Sequence, residues 1–218
     1  TGEAVDVHDN YMDRVFRHCN GDRVFWIMKY DTILQRTGLD LELSQDERLY
    51  DAQSVTADFL TEHIDSAFTV WQQNWNKQYS FEMFCRYVLP YRIGNEKTSL
   101  WRKTFTVPSW VREAYDPNQD NSTYAYGMAN DILGGMRSVI YYPPQFLPDL
   151  PLTALEHVKS ASCKEYAHLC VAVLRAHGLP ATIDFTPQWG NRSLGHEWCV
   201  FFPDNHSFIP FNPCLLYT

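Results

Sequence analysis

Six cysteines stand at positions 19, 85, 163, 170, 199 and 214, and one is set apart by its neighbours. Ser162-Cys163-Lys164-Glu165 has the S-x-x-E form of a capping box. Ser162 is therefore expected to cap a helix, with Cys163 as its first residue. Free backbone N–H groups and the positive end of the helix dipole favour a thiolate there, lowering a thiol pKa that is otherwise about 8.5, and Lys164 adds to that field. The same N–H groups can stabilise the oxyanion formed when sulfur attacks a carbonyl. Cys163 is thus the candidate nucleophile. By contrast, Cys170 falls on an apolar helical stripe and Cys199 inside a strand, ordinary places for a buried thiol.

A thiol nucleophile needs an imidazole, and among the eight histidines His196 is the best placed. It follows the turn-forming run Gly190 to Gly195 and opens a strand, where its backbone is held while its ring faces a cleft. A third residue should orient that ring through its other nitrogen, and Asn212 is suited to the task. A three-residue loop Pro203-Asp204-Asn205 would set Phe202 opposite His206 and His196 directly opposite Asn212. A loop one residue longer would put Pro213 there instead, so the contact depends on that register or on a bulge.

These residues require a helix and a sheet. Tyr166, Leu169, Cys170, Val173, Leu174 and His177 recur at helical spacing, Gly178 follows as the terminating position and Pro180 prevents continuation, so a helix is predicted from Cys163 to His177. Strands are predicted at Ala181 to Thr186, His196 to Phe202 and Ser207 to Phe211, with Pro210 confining the last to a sheet edge. Upstream, Asp6 to about Gln78 has helical periodicity, broken at Asn20-Gly21 and near Thr37-Gly38, with a capping box at Ser44 to Glu47. Phe59, Leu60, Ile64, Ala67, Phe68, Trp71 and Trp75 form one stripe, read as core. Ser80 is expected to cap a helix that Pro90 stops. From Tyr91 to Leu152, repeated prolines and Gly134-Gly135 predict loops with short helices.

Composition narrows the partners. Lys and Arg total 18 against 26 Asp and Glu, a net charge of −8, and no basic run tracks a phosphate backbone, so nucleic acid is not an expected partner. No apolar run is long enough to span a membrane. There is no CxxC pair, no HExxH and no zinc-like Cys/His spacing, so neither a metal nor a cofactor is expected. The chain begins at Thr1; a removed leader would favour an extracytoplasmic or secreted location, and a piece of a longer protein is the other expectation.

Ala161-Ser162-Cys163-Lys164-Glu165-Tyr166, Leu174-Arg175-Ala176-His177-Gly178-Leu179-Pro180-Ala181, Gly195-His196-Glu197-Trp198 and Phe211-Asn212-Pro213 together resemble the transglutaminase-like superfamily of papain-like thiol enzymes. They correspond to its nucleophile helix, its R-A-x-G-[IL]-P-A joint, its H-x-W strand and its closing D-P element, over roughly residues 152 to 214. The resemblance implies an α+β fold, with a nucleophile helix packed on an antiparallel sheet in a papain-like core placed at 101–218. It does not explain the upstream half, where helical periodicity predicts a mainly helical region at 1–100 packed on that core, and a single integrated domain is preferred over two independent ones. It further implies a catalytic triad of Cys163, His196 and Asn212. Asn212 stands where the family most often has Asp, Cys214 where Thr often follows, and Ser162 where Gly commonly precedes the cysteine. Asn fills the same orienting role in papain-like proteases.

The implied chemistry is acyl transfer through a thioester. Water as acceptor gives a cysteine peptidase or amidase acting on peptide or protein substrates, the preferred reading because superfamily members outside animals are widely associated with hydrolysis. A lysine-like amine would give transamidation. The other class is a non-catalytic module that binds peptide or carbohydrate in an aromatic cleft. Gln145, Trp101 and Trp110 have the residue types for an added oxyanion donor, and Trp189 for a cleft wall, whereas Trp198 is expected beneath the sheet. His63, His157, His168, His177 and His206 are read as surface or structural histidines, and Arg92 with Glu96 as a surface ion pair.

Overall fold

The structure is a computed structural model that describes residues 50–96, 98–105, 118, 121, 123, 137–138, 151–153, 160–161, 163–188 and 195–212. In chain order its helices are α1 (Asp51–Ser54), α2 (Ala57–Trp71), α3 (Phe81–Tyr87), α4 (Trp101–Thr104) and α5 (Cys163–Ala176), with a 3-10 turn at Asn74–Asn76. The strands are β1 (Arg137–Ser138), β2 (Ser160–Ala161), β3 (Ala181–Thr186), β4 (His196–Phe201) and β5 (Ile209–Phe211). β1 and β2 form a short parallel pair, and β3, β4 and β5 an antiparallel sheet in that order. Helices and a small antiparallel sheet make this an α+β fold. The capping box at Ser44 and the breaks at Gly21 and Gly38 lie outside the described residues.

Among the described residues, α5 is the element on which the others converge. It packs on β3 and β4 on one side and on α2 and α4 on another. Enclosed in this way, every residue from Tyr166 to Ala176 is buried, so the single apolar stripe expected for this helix is corrected to burial all round. His168 and Arg175 can be buried because each has polar partners. The core joins Tyr166, Leu169, Val173 and Leu174 to Cys199, Phe201 and Phe211 of the sheet and to Trp75, Tyr79, Met83 and Trp101 from upstream. Each such large side chain contributes about 1.5–3 kcal/mol through burial.

The C-terminal end of α5 closes as its sequence predicts. Leu179 N–H donates to Leu174 O at 2.9 Å and Gly178 N–H to Arg175 O at 3.0 Å, the paired bonds of a Schellman motif. Gly178 has φ +81°, and a Cβ on it would overlap the Asn76 amide. Conformation and close approach both demand glycine there.

Upstream, the Thr56 side chain accepts from Phe59 N–H at 3.2 Å and the Ser80 side chain from Met83 N–H at 3.2 Å, so α2 and α3 begin at their capping residues. The long α2 stripe is only partly right. The helix ends at Trp71, and Ile64 is exposed. Trp75 instead occupies the 3-10 turn, where its indole N–H donates to His177 O at 2.9 Å. His63 takes the buried place, its Nε2 3.0 Å from Ser99 O and its ring centroid 5.4 Å from that of Trp101. Arg102 is buried over Trp101 and donates to the carbonyls of Val88, Leu89, Pro90 and Arg175, tying the end of α3 to that of α5.

Candidate active site

Cys163 is the first residue of α5 and is half-buried. The backbone N–H groups of Glu197, Lys164 and Cys163 itself act on its sulfur and favour the thiolate. Two belong to the first turn of the helix and one comes across from β4. Nevertheless the thiol pKa lies above its ordinary value: burial is the largest cause, the Glu197 carboxylate adds to it, and the N–H groups pull the other way. The expectation of a lowered thiol pKa is therefore corrected. Sequence shows the helix start but not the wall of protein that removes water from the sulfur. Ser162 lies outside the described residues.

His196 opens β4 and half-faces solvent. Its pKa is lowered, first by burial, with Glu197 acting in opposition. Nε2 of the ring lies 3.0 Å from Nδ2 of Asn212. The pair meet, but not by the predicted register. The β4–β5 ladder sets Cys199 opposite Phe211, Val200 opposite Pro210 and Phe201 opposite Ile209. One step beyond, Asn212 falls opposite Trp198, so it reaches His196 diagonally on the same face of the sheet. A longer turn causes the shift. The Asp204 carboxylate accepts from His206 N–H at 2.7 Å and Ser207 N–H at 2.8 Å, which keeps both residues out of the ladder. The turn is also anchored from upstream: Asn205 bonds Ser80 N–H at 2.7 Å and Gln78 O at 2.7 Å, and the Tyr79 hydroxyl donates to Phe202 O at 2.9 Å.

Trp198 is half-buried, its ring centroid 6.0 Å from that of His196 on the same sheet face. Trp101 is no oxyanion donor, because it is buried and its indole N–H is committed to Tyr91 O at 2.9 Å. Gln145, Trp110 and Trp189 lie outside the described residues. Among the described residues no group of three or more His, Cys, Asp or Glu is arranged to hold a metal ion, and no helix is long and apolar enough to cross a membrane.

Next to the sulfur lies a polar cluster that residue spacing does not reveal. His168 Nε2 is 2.9 Å from Glu197 Oε2, and its Nδ1 is 3.7 Å from Glu96 Oε2. Burial works against a charge on His168, but the two carboxylates outweigh it and raise its pKa. Burial likewise opposes the Glu96 charge, yet His168 and the N–H groups of Ile93, Glu96 and Gly94 bring its pKa down to about 2. The expected Arg92–Glu96 surface pair is thus corrected. Glu96 turns inward to His168, while Arg92 pairs with Asp51 and gives Glu96 only a bond to its backbone carbonyl.

A buried helix that begins at Cys163 and packs on the antiparallel strand carrying His196 gives this chain a helix-on-sheet domain. The chain belongs to the transglutaminase-like superfamily, whose family model matches residues 89–213. That superfamily includes cysteine-dependent acyltransferases and peptidases. The match reaches upstream of the resembling segments to Leu89 and takes in Glu96 together with Cys163, His196 and Asn212. No curated protein and no solved structure matches the chain.

Proposed function

We propose that the protein is a thiol-dependent acyl-transfer enzyme of papain-like architecture that hydrolyses peptide or side-chain amide bonds through Cys163, His196 and Asn212. The observation that carries the reading is the 3.0 Å contact between Asn212 and His196 Nε2, made on the strand that packs against the helix opened by Cys163.

In this reading His196 accepts the thiol proton on Nδ1, the nitrogen that Asn212 does not hold. The ring must then carry its other proton on Nε2. Asn212 therefore presents Oδ1 as acceptor, a half-turn of its amide from the orientation in which Nδ2 faces the ring. Sulfur attacks the amide carbonyl, and the free N–H groups at the start of the Cys163 helix are the donors offered to the developing oxyanion. The C–N bond breaks as the imidazolium returns its proton to the departing amine, leaving a thioester. Water, deprotonated by the same ring, then releases the acid and restores the thiol.

A raised thiol pKa beside a lowered imidazole pKa makes the resting pair neutral, so proton transfer accompanies attack instead of preceding it. A screen of peptide and glutamine-containing substrates tests the proposal, with ammonia or amine release scored separately from cross-linking in wild type and Cys163→Ala. Release without cross-linking that disappears in the variant supports hydrolysis. Cross-linking would replace it with transamidation, and no turnover, together with Cys163 alkylation indifferent to His196→Ala, would favour a binding module.

A further inference from the structure

Glu96, His168 and Glu197 come from three separate elements: the loop after α3, the middle of α5 and the second residue of β4. They form one continuous chain of contacts, with Glu96 and His168 side chains 4% and 6% exposed and Glu197 29% exposed. The Glu96 carboxylate is itself anchored, accepting from Gly94 N–H at 2.7 Å and Ile93 N–H at 3.0 Å. The loop lies so close to the imidazole that a Cβ on Gly94 would overlap the His168 ring. His168 is thus held on one side by a fixed carboxylate and a bare backbone, and on the other by Glu197.

Glu197 lies on the strand that packs against the Cys163 helix, and both its backbone N–H and its carboxylate act on the sulfur, with opposite effect. An unopposed carboxylate in that position resists ionisation of the sulfur. The groups acting on Glu197 are His168 from α5, Lys164 from the first turn of the helix and His196 from its own strand. Glu96 has Arg92 and Arg175 in its field in addition to His168.

We propose that Glu96 and His168 are positioning residues for Cys163: they hold Glu197 so that its N–H stays on the sulfur while its negative charge is countered by the imidazolium. The inference rests on Cys163 being the nucleophile, but it concerns the proton affinity of the thiol and not turnover. Its test is accordingly the rate at which iodoacetamide alkylates Cys163 in the full chain, followed on the Cys163 peptide by mass from about pH 6 to about pH 10.

His168→Gln is expected to raise the apparent pKa of the thiol by about one unit, read as alkylation about tenfold slower below both titrations. Glu197→Gln should shift it down by a similar amount. The double variant should return to within about threefold of wild type, because the charge and its counter-charge leave together. Gly94→Ala, which moves the ring and removes no charge, should shift the pKa in the same direction as His168→Gln. If His168→Gln does not fold, Glu197→Gln and Gly94→Ala carry the test. A thiol titration that stays at the wild-type position in Glu197→Gln overturns the inference. A chain that hydrolyses nothing yet shows these shifts would remove the proposed activity and leave the positioning role standing. Intact hydrolysis without the shifts would do the reverse.

Discussion

At the C-terminal end of α5, the carbonyls of Leu174 and Arg175 accept from Leu179 and Gly178, His177 O accepts from Trp75 and Asn76, and Arg102 donates to Arg175 O. That end is sealed by buried residues. At the N-terminal end, the N–H groups of Cys163 and Lys164 act on the sulfur of a partly exposed residue. The same helix therefore satisfies its free backbone groups with the protein's own polar atoms at one end and offers them to the proposed nucleophile at the other. The contrast leads to an expected division between stability and the proposed chemistry: the sealed end should tolerate little change, whereas the thiol should be alterable at small cost to folding.

The largest effect expected on this contrast comes from Cys163→Ala, which should reduce amide hydrolysis to background while the thermal midpoint stays close to wild type. His196→Ala follows, with a loss of about 10²–10⁴ in turnover and slower alkylation of Cys163 at neutral pH. Asn212→Ala should cost less than His196→Ala, and Asn212→Asp should retain more turnover than Asn212→Ala, because the ring still finds an acceptor. At the sealed end, Gly178→Ala should destabilise by about 2 kcal/mol or more in urea unfolding, through left-handed strain and overlap with Asn76, without lowering activity per folded molecule. If Gly178→Ala instead lowered activity at unchanged stability, the division between the two ends would be wrong.

The smallest effect is a pH dependence set by His63 within α2. Burial drives the His63 pKa down to about 4, with its bond to Ser99 opposing. The unfolded chain binds this proton more readily, since a free imidazole titrates at about 6.5. The resulting stability is complete above that value and is lost as pH falls towards about 4. His168 acts with the opposite sign: its raised pKa contributes stability that is full below about 6.5 and fades as pH rises through its folded value. Thermal midpoints measured from neutral to mildly acidic pH should fall in wild type and fall less in a folded His63→Gln variant.

Much of this was legible along the chain. The start of α5 at Cys163, its glycine-terminated end, all three strands of the antiparallel sheet and the edge place of Pro210 follow from spacing, capping and turn residues within a few positions of each other. The pairing of His196 with Asn212 was also readable, although through the wrong register, because the extra turn residues are held by Asp204 and by Asn205 contacts with Ser80 and Gln78. Glu96 and His168 carried no such signal. Each looks ordinary among its neighbours, and only the packing of a loop on a helix brings them together.

Sequence by itself determined the elements and which side chains they could offer, since capping, side-chain period and glycine's left-handed backbone depend on atoms a few residues apart. Tertiary structure alone decided how readily Cys163 gives up its proton, that Asn212 reaches His196 across a diagonal, and that His168 stands between Glu96 and Glu197. Those properties depend on excluded water and on charges brought close by distant segments, and neither quantity exists until the chain has folded.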